Sequence, residues 1–593
     1  MARGEFFSPV TATAGELRTS LFSVDIMSGA VGTWVMGTRH NLTEYEERRA
    51  AFDWTDVYDE ADWDAPAELN IAHETVDRHA TDRDAVALYQ VGTDGELTTL
   101  TFWELADRSA QFANVLETLG VAAGDRVVSY MPRIPEHYVA MIGTLKRGAV
   151  WGSVNERFGP EGIAYRLRDC DASAVVTTTD NRETVADALA DAPSVDHVIT
   201  VDRGGGAPPA DTVFGPALDD AATTYETAAT GGEDDALLYY TSGTTGPAKG
   251  VLHRQRWIAG VAATQRDAVD LQPGDLYWST GDLGWLTGVI NTLGAWFWGT
   301  ALFTYEGEFD PETWADLLDE YPITVLFSVP TAYRMLRENE GVIDGVDLDL
   351  RHALSIGEPL SAGVVEWGEA TLDVTILDTY GQTETGNMII NNYPTMEVRP
   401  GSMGKPLPGI EAEVVDPDTG EVLDPGETGE IAQRGDYPCF FAEYWEQPEK
   451  TASCFVDGPD GEWYRSGDLA HKDEDGYFWF EGRADDIILS AGYRIGPFEV
   501  ESSLGEHEAV AEAAVVPKPH PERGNIVKAY VVPSEGATPS DDLKAEIKDH
   551  VKTELSAHEY PRELEFRTEL PKTVTGKIRR TELQDDAEAD AEA

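Results

Sequence analysis

Tyr240-Thr-Ser-Gly-Thr-Thr-Gly-Pro-Ala-Lys-Gly250 is the stretch on which the reading of this chain turns, and it follows the apolar run Ala236–Tyr240. Gly243 and Gly246 reach backbone angles that other residues avoid, so the loop can fold tightly and gather N–H groups. Thr241, Ser242, Thr244 and Thr245 add hydroxyls, and Lys249 adds a positive charge. Such a loop suits a polyphosphate, although a Gly/Thr-rich run by itself is equally a surface turn. It is not a Walker A loop, because Gly250 follows Lys249 where that motif needs Ser or Thr.

On either side of the loop, β-rich runs alternate with helical spacing. Thr101–Gly120 carries a helical apolar stripe closed by a glycine of C-cap type, and Ile134–Lys146 is a second helix. Gly124–Met131, Gly148–Val154 and Ala174–Thr178 read as strands, which together predicts a parallel sheet with helices on its faces. Leu252–Asp267 reads as helix. Thr324–Val329, Ala353–Ile356 and Val374–Asp378 are buried-type strands, each ending in polar or turn residues, where open α/β sheets place ligands. Trp285, Trp296, Phe297 and Trp298 read first as core. From Gly401 the pattern turns to short strands (Glu411–Val415, Gly429–Gln433, Tyr477–Glu481). A last α/β stretch follows Glu481–Asp486, and the acidic end Asp585–Ala593 is expected to fray.

The chain has 593 residues, enough for more than one domain, with 108 Asp+Glu against 44 Lys+Arg and a net charge of -64. Only 12 of those cations are lysine. So acidic a surface argues against nucleic-acid binding and fits a salt-rich cytoplasm, where ions screen the repulsion between carboxylates. No apolar run reaches the roughly 18 residues of a membrane span. Cys170, Cys439 and Cys454 form no ligand pattern and suit a reducing compartment. Residues 1–35 carry a net charge near -1, unlike the remainder. They read as a disordered extension or a start assigned upstream of the real one, at Met27 or Met36.

Seven stretches taken together resemble the acyl-CoA synthetase branch of the adenylate-forming enzymes. They are Thr241–Gly250, Gly357-Glu-Pro359, Asp378–Gly386, Tyr464–Asp468, Gly482–Asp485, Ser490–Gly496 and Pro571–Lys577. They stand in the family's order, and the resemblance spans roughly residues 41–584. It implies a large N-terminal domain (36–484) of packed α/β sheets with a small β-rich subdomain, then a mobile α+β C-terminal domain (485–584) and an acidic tail (585–593). It implies an acyl-adenylate made from a carboxylic acid and ATP, then thioester formation with coenzyme A. By resemblance the glycine-hydroxyl loop holds the β- and γ-phosphates. Thr383 meets the α-phosphate and Glu384 partners Mg²⁺. Gly357, Glu358, Pro359, Asp378, Thr379, Tyr380, Gly381 and Gln382 surround the nucleotide, with Tyr380 offering its ring to adenine. Asp468 and Arg483 hold ribose, and Arg494 lies near the phosphates. Lys577 drives adenylation, Asp485 is the hinge, and Gly492 and Tyr493 meet CoA. Leu286, Thr287, Ile356 and Gly381 wall the acyl pocket.

Acetate-specific members carry a bulky Trp where this chain has Gly381, so the pocket is expected to stay open for short- or medium-chain acids, with acetate or propionate as the alternative. Ala248 replaces a proline frequent in the family. Two rival readings are an enzyme that loads a carrier-protein thiol and a catalytically inert nucleotide-binding protein.

Overall fold

The computed structural model describes residues 42–60, 69–241, 248–339, 341–435, 437–484, 486, 488–490, 493–520, 523–534, 536–555, 560–572 and 578–592. The expected extension before residue 36 lies outside these. The expected helix Thr101–Gly120 forms as Phe102–Leu119, because Thr101 and Glu104 make a reciprocal capping box and Gly120 turns left-handed at φ 87°. It packs against Pro135–Lys146, and the two helices approach so closely that a Cβ on Gly143 would stand 2.7 Å from the Ser109 carbonyl oxygen.

Behind these helices lies an eight-stranded sheet. Arg126–Tyr130, Val150–Ser153, Ala174–Thr178 and His197–Val201 run parallel within it, and Trp151 pairs in parallel with Leu237 of Asp235–Thr241. A nine-stranded sheet is built on Leu276–Ser279, Ala301–Tyr305, Val325–Ser328, His352–Ser355 and Ile376–Gly381, again parallel. One apolar core runs between both sheets, from Val127 and Trp151 to Tyr277, Leu354 and Leu377. Trp296 and Phe297 sit in it as expected, and the Trp296 indole donates to the Ala87 carbonyl at 2.8 Å.

A five-stranded antiparallel sheet follows, including Ala412–Val415, Gly429–Gln433, Gly461–Lys472 and Phe478–Arg483. The last sheet pairs Val510–His520 with Gly524–Pro533 and has its own core around Val500, Val515, Val527 and Ile547. No helix among the described residues is long and apolar enough to cross a membrane.

Two expectations need correction. Leu252–Asp267 is not one helix. Lys249–Arg254 is a strand antiparallel to Asp235–Thr241, and the helix begins at Trp257. The residues around the loop therefore close a hairpin, and pairing overrides the helical spacing of the apolar residues beyond it. Nor does the acidic end fray. Arg580–Glu592 is a helix whose Leu583 and Ala587, one turn apart, are buried with Tyr530. Its acidic face meets cations, Asp590 at 2.5 Å from Lys528 and Asp586 at 3.0 Å from Arg567.

Candidate active site

The strand Ile376–Gly381 ends in a turn, Gln382–Gly386, and the expected residues gather around it. Gly386 closes the turn at φ 70°, and its backbone lies so near residue 439 that a Cβ would stand 1.8 Å from the Cys439 carbonyl oxygen. Only glycine fits there. The Trp257 indole donates to the Gly386 carbonyl at 2.7 Å, and the Phe441 N–H donates to the Glu384 carbonyl at 3.0 Å. The turn is thus fixed from both sides.

One side of the turn faces Asp468, a buried carboxylate on Gly461–Lys472. Tyr380 donates its hydroxyl to Asp468 Oδ2 at 2.7 Å, and Gln382 donates Nε2–H to the same oxygen at 2.5 Å. Arg483, the strand partner of Asp468, donates to Oδ1 at 2.9 Å. Tyr464 holds Gln382 in turn, donating to Oε1 at 3.0 Å. Burial, and then the Asp468 carboxylate, pushes the Tyr380 hydroxyl far above its ordinary range, so it remains a neutral donor.

The other side of the turn faces the hairpin. Glu384 is buried, and Tyr444 donates its hydroxyl to Glu384 Oε1 at 2.7 Å. Lys249 lies 3.2 Å from the Tyr444 hydroxyl oxygen and 3.9 Å from Glu384 Oε1, with its ammonium 4.5 Å from the centre of the Tyr444 ring. Glu443–Tyr444 is strand-paired with Val251 and Leu252 of the hairpin's return strand, which sets this arrangement in the backbone. Thr241, at the hairpin's other arm, has a buried hydroxyl without a hydrogen-bond partner among the described residues. A buried orphan donor beside a cation suits an anionic ligand.

Other expected residues take different duties. Asp378 is buried, its carboxylate bonded to the backbone N–H groups of Thr379 and Leu360, and burial pushes it well above the carboxylate range. It ties its own strand to the segment at Leu360. Thr379 donates its hydroxyl to the Ser355 carbonyl at 2.8 Å. Glu358 accepts from Thr331 at 2.7 Å and from Arg334 at 3.0 Å, and Gly357 takes φ 95° before it. Leu286 and Ile356 share the inter-sheet core, while Thr287 is half-buried at the start of Leu286–Phe297. Trp285, just before that helix, tilts over Phe158 with centroids 5.9 Å apart.

Gly381 is closely surrounded by backbone. A Cβ there would stand 2.3 Å from the Asn387 carbonyl oxygen, because Gly381 pairs with Met388 beside a register shift. Its glycine serves the close approach of two strands, so this backbone has no room for a pocket-shortening side chain at that position.

Ser242, Gly243, Thr244, Thr245, Gly246, Asp485, Gly492 and Lys577 lie outside the described residues. Of Tyr493 and Arg494 only the backbone is described, pairing with Ser490 and Leu489. Tyr444 and Arg334 were not legible beforehand, and Tyr464 was legible as part of its stretch but not as a partner of Gln382. Tyr444 is one of 22 tyrosines, and nothing in its spacing singles it out.

Residues 73–445 match the AMP-binding enzyme family, and residues 499–577 match the AMP-binding enzyme C-terminal domain. The chain belongs to the adenylate-forming acyl-CoA synthetases. An acetyl-coenzyme A synthetase of Bacillus subtilis (strain 168) is 42% identical over 554 residues, covering 92% of this chain and 95% of its own length. A mitochondrial acyl-coenzyme A synthetase of Rattus norvegicus is 38% identical over 511 residues, covering 84% and 86%. Among solved structures, an acyl-CoA synthetase of Brucella canis superposes with a TM-score of 0.72 at 36% identity, covering 93% of this chain and all of that one. An anthranilate CoA ligase in complex with anthranoyl-AMP gives 0.81 at 29% identity, covering 91% and 100%. These acyl-CoA synthetases are AMP-forming ligases, and this chain is an enzyme of that class.

Proposed function

We propose that this enzyme activates a short- or medium-chain carboxylic acid with ATP and passes the acyl group to coenzyme A. The observation that carries the reading is one turn, Gln382–Gly386, with a hydrogen-bonded carboxylate on one side (Asp468) and a carboxylate–ammonium pair on the other (Glu384 and Lys249). That spacing suits a nucleotide lying across the turn, ribose at Asp468 and phosphates at the hairpin.

Asp468 accepts the ribose hydroxyls once its protein donors give way, since a carboxylate accepts several hydrogen bonds. Lys249 and the hydroxyls of the loop 241–246 neutralise the polyphosphate. The donor set suits magnesium, which Glu384 would hold through one hard oxygen. The ion, when bound, withdraws charge from the phosphates as pyrophosphate leaves. In our reading the substrate carboxylate attacks the α-phosphorus and the bond to pyrophosphate breaks, with Lys577 neutralising the negative charge shared between them. The C-terminal portion, residues 485–584, then turns about Asp485 and brings Gly492 and Tyr493 to the CoA thiol, which displaces AMP from the acyl carbon. Arg494 and Arg483 accompany the nucleotide.

The Bacillus subtilis relative favours a second acid class, acetate or propionate, and the crowding at Gly381 leaves pocket depth to residues such as Leu286, Thr287 and Ile356. The net charge of -64 supports a salt-rich cytoplasmic setting. The deciding experiment is pyrophosphate release and CoA-thioester formation with a C2 to C12 series of acids in molar KCl. A maximum between C4 and C8 supports the reading. A maximum at C2 or C3 moves the enzyme to the second class, and no pyrophosphate with any acid refutes both.

A further inference from the structure

We propose that Tyr444 is a positioning residue for the phosphate side of the site, holding Lys249 and Glu384 in one fixed arrangement until the polyphosphate arrives. The inference rests on the reading of that site given above. Three observations support it. First, the Tyr444 hydroxyl stands between the two charges, donating to Glu384 Oε1 at 2.7 Å and lying 3.2 Å from Lys249 Nζ, whereas the charges themselves are 3.9 Å apart. The phenol is therefore the closer partner of each. Second, the ring lies under the ammonium at 4.5 Å, so Lys249 is held by a π face as well as by an oxygen. Third, Tyr444 is 2% exposed and strand-paired to the hairpin, so its placement is set by backbone and not by a surface rotamer.

An ion pair held through a neutral hydroxyl is ready to open. Lys249, which is half-buried, can leave for a phosphate while the buried Glu384 keeps a hydrogen bond, so neither charge passes through an unpartnered state. A direct salt bridge would have to break before either group could act. The oxygen that Tyr444 occupies also determines which Glu384 oxygen is left for the metal.

Two variants separate the hydroxyl from the ring. Tyr444→Phe keeps the ring under Lys249 and removes the hydroxyl, which donates to Glu384 and makes its longer, weaker contact with Lys249. ATP binding is measured by titration calorimetry in MgCl₂ and, separately, in EDTA. We expect the magnesium-dependent gain in ATP affinity to fall about tenfold, the size of one charge-assisted hydrogen bond, with ATP binding in EDTA within twofold of wild type. Tyr444→Leu removes the ring under Lys249 as well as the hydroxyl and should weaken ATP binding in EDTA too. Thioester formation from supplied acyl-adenylate, which involves no polyphosphate, should be unchanged in Tyr444→Phe. In a Glu384→Gln background the amide oxygen can still accept from Tyr444, but the carboxylate charge that the hydroxyl positions is already gone, so Tyr444→Phe should cost less than twofold more in the magnesium-dependent gain.

The proposal is overturned if Tyr444→Phe binds MgATP as wild type does, if both half-reactions and the melting temperature fall together, or if the two substitutions are additive. A wild-type enzyme that releases no pyrophosphate sinks the reading of the site, and this inference with it. A working wild type with an indifferent Tyr444→Phe sinks the inference alone.

Discussion

The two carboxylates flanking the turn Gln382–Gly386 are both buried, yet they are held in opposite ways. Asp468 accepts from three side chains, Tyr380, Gln382 and Arg483, spread over both of its oxygens. Glu384 accepts one hydrogen bond from a described side chain, with a lysine at the edge of contact. A carboxylate held by three neighbours across both oxygens is a rigid acceptor that selects by geometry. A carboxylate held at one oxygen keeps lone pairs for a ligand with charge. The difference predicts that Asp468 acts mainly in binding and Glu384 mainly in the chemical step.

The largest effect should come from Glu384→Gln. The amide keeps the shape, and its oxygen can still accept from Tyr444, but the charge is lost. Adenylation measured by pyrophosphate release should fall by roughly a hundredfold or more, the range seen when a transition-state charge partner is removed. Thioester formation from supplied acyl-adenylate should stay within a few-fold. Equal loss in both half-reactions would erase the distinction drawn between the carboxylates.

Gly381 lies between the two sides, and substituting it should damage both. Gly381→Ala forces a methyl against the Asn387 carbonyl at 2.3 Å, and overpacking of this kind costs about 1–3 kcal/mol. A lowered melting temperature with an unchanged chain-length profile is the expected outcome. A sound fold with a preference moved toward acetate would restore Gly381 as a pocket wall.

How much of this was legible beforehand differs by level. A strand such as Ala174–Thr178 was readable to the residue, because burial on both faces of a parallel strand leaves a short run of small and β-branched residues bounded by turn residues. The hairpin after the loop was not, since Val251, Leu252 and the residues beyond them satisfy a helical spacing, and only the pairing with Tyr239 and Leu238 shows them to be strand. The ordered end Arg580–Glu592 was hidden by its charge. Its acidic residues look like a solvated tail until Lys528 and Arg567, more than a dozen residues away, are seen to meet them. The site divides in the same way. Asp468, Glu384 and Lys249 stand inside motifs, so their types and order gave them away. Tyr444 stands in no motif and acts through a partner far along the chain, and even Tyr464, inside one, gave no sign of its bond to Gln382, because a single sequence carries no record of such pairs.

Asp468→Asn tests the binding side. One oxygen becomes an amide that must face donors from Gln382 and Tyr380 or from Arg483, leaving like groups opposed. The Michaelis constant for ATP should rise roughly tenfold to a hundredfold, since hydrogen bonds to a charged group are worth about 1.5–3 kcal/mol, with kcat within a few-fold. A drop in kcat as deep as that of Glu384→Gln would show that both carboxylates serve the chemistry.

The smallest effect should be that of Tyr380→Phe, and it is the finest test of how Asp468 is held. Tyr380 and Gln382 donate to the same oxygen of Asp468, at 2.7 Å and 2.5 Å. Removing one leaves the other, and Arg483 still holds the opposite oxygen. The ring survives, so any stacking on the base survives with it. The Michaelis constant for ATP should therefore rise by no more than about threefold, below the full worth of a hydrogen bond to a charged group. Gln382→Leu alone should behave similarly. The double substitution should exceed the product of the two, because only then does Oδ2 lose both donors inside a buried site. Multiplicative effects would mean that each donor acts on the nucleotide separately, and the net around Asp468 would then be a set of independent contacts and not one acceptor held from several directions.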